Sequence, residues 1–245
     1  SSNLNLILNE KKINFEFIDH DKSHVGLSYY LSGFGKSLIF IIDQQGEFSS
    51  SSVWIGNKNN FEKIFEQNYP NSIGKFYASI TEYLGFKPLS DEWKVMALGA
   101  YTKGNNSVYN KLKKLIEIKS SGEINLDLNY FNLLNEVPYF LSEKFYNLMG
   151  PRRTSNQKID KFHYNVAFAL QKITEEITIS FIEKFTKKNP TIKNLCFGGG
   201  VFMNSVMNGK IAKKFNNHNI YISYAPDDSG NSIGATLYKY FTGSK

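Results

Sequence analysis

Apolar and polar positions change period several times along this chain, and each change marks an element. Residues Ile13–Ile18 alternate apolar and polar and run into Asp19-His20, the pattern of a half-buried strand entering a loop. His24–Leu31 reads as a short helix. Ser37–Asp43 is a buried-type strand, Gln44-Gln45-Gly46 supplies turn chemistry, and Glu47–Ile55 returns as the second strand of a hairpin. A helix is predicted over Asn71–Gly85, because Ile73, Phe76, Tyr77, Ile80, Tyr83 and Leu84 recur at helical spacing and Gly85 is a C-terminal stop. An amphipathic basic helix is expected over Val108–Ile118, a loop and short strand over Ser120–Asp127, and a helix over Glu136–Met149 that stops at Gly150-Pro151. The longest helical signal is Asp160–Phe185, where Phe162, Val166, Ala169, Ile173, Ile177 and Phe181 belong to one core-facing stripe.

The last third carries the most telling order. Asn194–Phe197 reads as a strand, Gly198-Gly199-Gly200 as a turn, and Phe202–Phe215 as a helix. Asn219–Ser223 is a further strand, Ala225–Gly230 a loop and Ser232–Phe241 a helix. Strand, glycine turn, helix, strand, loop, helix implies an α/β sheet with its sites at the C-terminal ends of the strands.

Composition narrows the class. The 245 residues are 41% hydrophobic and 21% charged, as in a soluble globular protein. No apolar run approaches the ~18 to 20 residues that cross a bilayer, so no membrane role is expected. The N-terminal residues show no signal-peptide pattern, and the single cysteine, Cys196, allows no internal disulfide; a cytoplasmic location is expected. The net charge of +7 comes almost wholly from lysine without the clustering that nucleic acid demands. The two arginines, Arg152 and Arg153, are adjacent.

Five constellations offer chemistry, each beside a plainer reading. Gly198-Gly199-Gly200 through Asn204 brings backbone N–H groups and a helix N-terminus toward a phosphate or ribose, or is a tight turn. His20 and His24 share one face of a helix and can share a cation, or are spaced so by coincidence. Asp227-Asp228-Ser229-Gly230 places carboxylates on a glycine-containing loop before a helix, for a metal or for a cap. Asp43 sits at a hairpin tip, facing a phosphate or serving an ordinary turn. Arg152-Arg153 suits planar recognition of an oxyanion, or is surface charge after a helix stop.

In order, these residues resemble the O-carbamoyltransferases that modify nodulation factors and antibiotics. His20-x-x-x-His24 with Ser28, Asp43-x-x-Gly46-Glu47, and Asn71-Ser72-Ile73-Gly74-Lys75-Phe76-Tyr77 are similar to three of that family's motifs. Glu92-Trp93-Lys94-Val95-Met96, Gly199-Gly200-Val201-Phe202-Met203-Asn204 with Asn208, and Asp228-Ser229-Gly230-Asn231-Ser232-Ile233-Gly234 are similar to three more. The resemblance implies an α/β actin-like ATPase fold (sugar kinase–Hsp70–actin) of the Kae1-like type, with 1–155 as the remainder of a first lobe bearing a helical insertion and 156–245 as a second lobe.

It also implies an activity. ATP and carbamoyl phosphate form a carbamoyl adenylate in a YrdC-like domain, and the Kae1-like part transfers the carbamoyl group to a hydroxyl of a sugar-containing acceptor. On this resemblance His20, His24 and Asp228 hold a divalent metal of the iron type, with magnesium an alternative. Gly198, Gly199, Gly200, Asn204 and Gly230 contact the nucleotide, as ATP, ADP or the adenylate. Asp43 positions the phosphate or a metal-bound water, and Lys94, Arg152 and Arg153 stabilise negative charge. The family's N-terminal lobe segment and YrdC-like domain are expected as partners, in cis or in trans. Asp21 stands where the family pattern has a histidine, and Gln44 where it has a glycine. A tRNA threonylcarbamoyl-transfer protein and a non-catalytic nucleotide-binding module are the alternatives.

Overall fold

The computed structural model describes residues 5–8, 11–14, 16–134 and 139–243. A five-stranded mixed sheet is its centre, in the order β5-β4-β3-β8-β9. β3 (Lys36–Ile42), β4 (Ser49–Asn57) and β5 (Asn60–Asn68) form an antiparallel meander, and β8 (Asn194–Gly198) and β9 (Asn219–Ile222) add in parallel on the other side of β3. A meander followed by two parallel strands beside its first member is the actin-like arrangement. The expected boundary at 155/156 falls between helices, and the one sheet draws strands from both sides of it.

β3 is the hub because it is buried on both faces. Its alternation sends Leu38, Phe40 and Ile42 to one face and Ile39 and Ile41 to the other. On the first face lies the long helix α6 (Lys161–Lys188), where Phe181 and Phe185 meet Phe40 edge-on. Asp160 starts α6 with a capping box to His163. α2 (Ile73–Tyr83), α3 (Glu92–Gly99) and α4 (Asn106–Lys113) complete this layer. On the second face α1 (His20–Tyr30) packs against α8 (Asn231–Gly243), with Val25 and Tyr29 covering Ile39, Ile41, Trp54 and Cys196. α7 (Ser205–Lys214) links β8 to β9.

Most sequence expectations are met, with instructive differences. α1 begins at His20 rather than His24, so both histidines are helical. Of the strand expected over 13–18, residue 15 lies outside the described residues and 16–19 are irregular; the strand β2 is Lys11–Asn14, paired with β1 (Asn5–Leu8) in a separate ribbon. The helix expected over Val108–Ile118 ends at Lys113, because Ile116 and Ile118 instead pair with Leu126 and Ile124 as β6 (Ile116–Ile118) and β7 (Ile124–Leu126). α5 covers only Glu143–Met149; residues 136–138 of its expected span lie outside the described residues, and 139–142 are not helical. β5 and α3 have no counterpart in the sequence reading. The helix expected over Phe202–Phe215 opens as a 3₁₀ turn at Gly200–Met203 before α7. No helix among the described residues is long and apolar enough to cross a membrane.

Candidate functional site

The C-terminal ends of β3 and β8 and the N-terminal ends of α1 and α8 meet at one place. His20 and His24, one turn apart on α1, bring their Nε2 atoms to 3.0 Å. Asp43, immediately after β3, puts Oδ2 at 3.3 Å from the Nε2 of His20 and 3.0 Å from that of His24. Asp228, in the 3₁₀ turn before α8, puts Oδ1 at 3.4 and 3.3 Å from the same two nitrogens. All four donor atoms lie within 4.8 Å of one another. Donors ~2.0–2.2 Å from a common ion sit roughly 3–3.5 Å apart, so five of the six separations have the spacing of a coordination shell. The donor set of two imidazoles and two carboxylates suits a first-row divalent cation.

Packing explains why the four converge. α1 and α8 cross at Gly26 and Gly234 with their backbones almost touching. A Cβ on Gly234 would lie 1.9 Å from the carbonyl oxygen of Ser23, and one on Gly26 would lie 2.2 Å from that of Gly234. Gly199 has φ +96°, and a Cβ there would meet the Ile42 carbonyl at 2.3 Å, so the glycine turn crosses the end of β3 directly. These close approaches leave the histidines of α1 between the two carboxylate loops.

The electrostatics of the metal-free cluster follow from burial and pairing. Burial pulls the His24 imidazole down, but hydrogen bonds to Asp228 and Asp43 outweigh it and raise the pKa to about 9. The hydrogen bond to Asp43 raises His20 also, against burial and the charge of His24. Burial pushes the Asp43 carboxyl up, yet its bonds from His20 and His24 hold it well below the usual carboxylate range. Without a metal, the cluster thus favours protonated imidazoles beside ionised Asp43.

A cavity of about 540 Å³ opens beside the cluster, within the range of ligand pockets. Asp43 and Asp228 line one part, Gly200 and Asn204 another, and Trp93 and Met96 of α3 an apolar part. Its acidic members are Asp43, Asp227, Asp228 and Glu92, and no lysine or arginine is among the described residues that line it.

The other sequence candidates separate into two groups. Gly200 faces Asp43, since a Cβ would lie 3.2 Å from Oδ1. Asn204 lines the cavity while capping α7 and exchanging hydrogen bonds of 3.0 and 2.8 Å with Gln171. Gly198 packs beneath the His24 carbonyl, and Gly230 against Ala225 and Leu27; both let α1 sit close. Lys94 pairs with Asp91 at 2.8 Å. Arg152 stacks on Tyr139. Arg153 is buried, donates from Nε to the Leu84 carbonyl at 2.6 Å, and also reaches the carbonyls of Ser155 and Gln157. None of these three cationic residues lines the cavity.

Two residues at the cluster were not singled out from sequence. The Asn231 amide donates to Asp228 Oδ1 at 3.2 Å and lies 3.4 Å from Nε2 of His24. The Glu47 carboxylate accepts from the backbone N–H of His20. Their signal was adjacency: Glu47 lies four residues beyond Asp43, and Asn231 three beyond Asp228.

The chain matches the family model described as carbamoyltransferase N-terminus over residues 4–237. It belongs to that family. This carbamoyltransferase N-terminus is 33% identical over 230 residues to the Methanocaldococcus jannaschii protein MJ1051, covering 93% of this chain and 42% of that one. It is 28% identical over 223 residues to nodulation protein NolO of Bradyrhizobium diazoefficiens, covering 90% of this chain and 38% of NolO. The chain therefore spans about two fifths of the length of these relatives. Among solved structures, full-length HypF in its phosphate- and nucleotide-bound form aligns over 90% of this chain and 42% of its own, at 13% identity and a TM-score of 0.46.

Proposed function

We propose that this carbamoyltransferase N-terminus holds a divalent metal at His20, His24, Asp43 and Asp228 and transfers a carbamoyl group to a hydroxyl of a sugar-containing acceptor. The observation that carries the reading is the convergence of two buried-edge imidazoles and two carboxylates beside an acid-lined cavity. A bound metal of the iron type, or magnesium, supplies positive charge against phosphate and polarises the carbamoyl carbonyl.

The remaining roles fall to the chain. Gly200, which ends the glycine turn Gly198-Gly199-Gly200, and Asn204 line the cavity and approach the nucleotide, whose phosphates point toward Asp43. Since no lysine or arginine among the described residues lines the cavity, phosphate charge would be met by backbone N–H groups, together with the cation that His20, His24, Asp43 and Asp228 would hold. The donor is carbamoyl adenylate, made from carbamoyl phosphate and ATP in a YrdC-like domain in cis or in trans. In the transfer, the acceptor hydroxyl oxygen bonds to the carbamoyl carbon and the bond from that carbon to the AMP phosphate oxygen breaks. AMP leaves, the hydroxyl proton passes to a base, and a carbamate ester remains.

The test combines metal analysis with turnover. The chain is mixed with an adenylate-forming YrdC-like domain, the family's N-terminal lobe segment, carbamoyl phosphate, ATP, ferrous iron and an aminoglycoside or oligosaccharide. The acceptor should gain the mass of one carbamoyl group with the wild-type chain and not with His24→Ala. Equal turnover by His24→Ala would overturn the assignment, as would a wild-type chain that binds no divalent metal.

A further inference from the structure

α1 lacks an ordinary cap. Its N-cap residue, Asp19, caps no backbone N–H of the helix with its side chain, which pairs instead with the Lys22 side chain in the first turn. The first helical N–H, that of His20, is taken from across the hairpin by both oxygens of Glu47, at 2.9 and 3.1 Å. A carboxylate at this end also suits the helix dipole. Directly before it in sequence, Gly46 lies under the His20 ring, where a Cβ would sit 3.0 Å from the imidazole. One turn of hairpin thus holds both the backbone and the ring of a cluster histidine.

A reciprocal tie runs the other way. The Asp21 carboxylate of α1 accepts from the Ser49 hydroxyl at the start of β4 at 2.7 Å, and both side chains are buried. Asp21 therefore points into the hairpin, away from the four-residue cluster, which does not include it. The same hairpin carries Asp43, whose carboxylate meets both histidines. Helix and hairpin can keep the 3.0–3.3 Å separations only if they move as one body.

We propose that Glu47 is the positioning residue of this centre: by capping α1 from the hairpin tip, it sets His20 against Asp43 in the arrangement that receives the metal. The proposal rests on the metal-binding reading above. It adds that the hairpin tip is a working part of the site, and that a residue without contact to the ion controls its affinity.

The experiment uses cobalt(II) as the probe, in the full chain. Wild type, Glu47→Ala and Glu47→Gln are titrated against a chromophoric chelator, and the cobalt ligand-field spectrum is recorded. Loss of a group that orients a ligand weakens metal affinity roughly 10- to 100-fold. Glu47→Ala should show that loss with a shifted spectrum. Glu47→Gln should recover part of it, because the amide oxygen still accepts from the His20 N–H. An alanine variant with wild-type affinity and spectrum overturns the proposal, and so does a glutamine variant as weak as alanine. If the alanine variant does not fold, amide exchange at His20 in Glu47→Gln decides: retained protection supports the cap and lost protection overturns it. If wild type takes up no cobalt, the functional reading fails, and the cap is judged in the metal-free chain. There, faster His20 amide exchange and a moved imidazole ¹⁵N shift in Glu47→Ala support it, and unchanged values overturn it.

Discussion

Substituting Gly234 by alanine adds one methyl group at the crossing of α1 and α8, about one helical turn from Asn231. The added Cβ would stand 1.9 Å from the Ser23 carbonyl oxygen and 2.8 Å from its carbonyl carbon. Carbon atoms in van der Waals contact keep ~3.5 Å or more, so the two backbones must separate by roughly 1 Å or more, and no flexible side chain can absorb it. Overpacking of this kind costs about 1–3 kcal/mol. The site is more sensitive than the fold. Asp228 and Asn231 ride on the α8 side and the histidines on α1, at 3.3–3.4 Å across the seam. Functional constellations tolerate displacements of about 0.5 Å, so a 1 Å opening detaches Asp228 from the imidazoles. Gly234→Ala should therefore lower the denaturation midpoint modestly and weaken divalent-metal affinity at least ~10-fold, measured by calorimetric titration. Gly209→Ala, within α7 where a Cβ meets nothing within 4 Å, is the control: it should leave metal affinity unchanged and, by replacing a mid-helix glycine, raise the midpoint slightly. A Gly234→Ala chain with wild-type metal affinity would refute the claim that this crossing sets the cluster.

His24→Ala should abolish stoichiometric metal after purification, read by elemental analysis, because His24 is the one ligand wholly buried between both carboxylates. Arg153→Met should destabilise the chain by about 1–3 kcal/mol in denaturant unfolding, through the unpaired carbonyls it leaves, with metal content unchanged. Phe40→Ala should cost about 3–5 kcal/mol, since it empties the contact among Phe181, Phe185 and Phe197. Metal affinity should climb as pH rises toward about 9, because the ion must displace the proton that His24 carries in the metal-free chain. Metal-free stability should run the opposite way: the His24 contribution is complete below its unfolded value of 6.5 and is lost as pH rises through about 9, as melting curves across that range will show.

Local pattern revealed the fold where a segment is buried by its own periodicity. β3, α2, α6 and the strand–turn–helix order of the last third were legible because their apolar positions repeat with the period of the element. β5 was not, since Asn60–Asn68 is largely exposed and polar and is a strand only by pairing with β4. The helix expected over Val108–Ile118 overran because Leu115 and Ile116 fit a helical stripe as well as a strand, and only pairing with Leu126 decides.

The same division runs through the site. His20, His24, Asp43 and Asp228 were chosen as residue types at suggestive places, and the chain resolves their relation by contacts across long separations. Asp43 was assigned to phosphate or to a metal-bound water; its contacts with both histidines put its carboxylate among the four donors themselves. Arg153 drew notice as one of only two arginines, and its guanidinium donates to carbonyls of its own neighbourhood, a relation that composition does not carry. Asp21 looked like a departure from the family's histidine pattern. In place it binds Ser49 and ties α1 to the hairpin, so a histidine there is not needed to complete the four donors. What sequence could not supply was the distance between α1 and α8. That distance is set by two glycines 208 positions apart, whose absent side chains bring a helix bearing two imidazoles against a loop bearing a carboxylate.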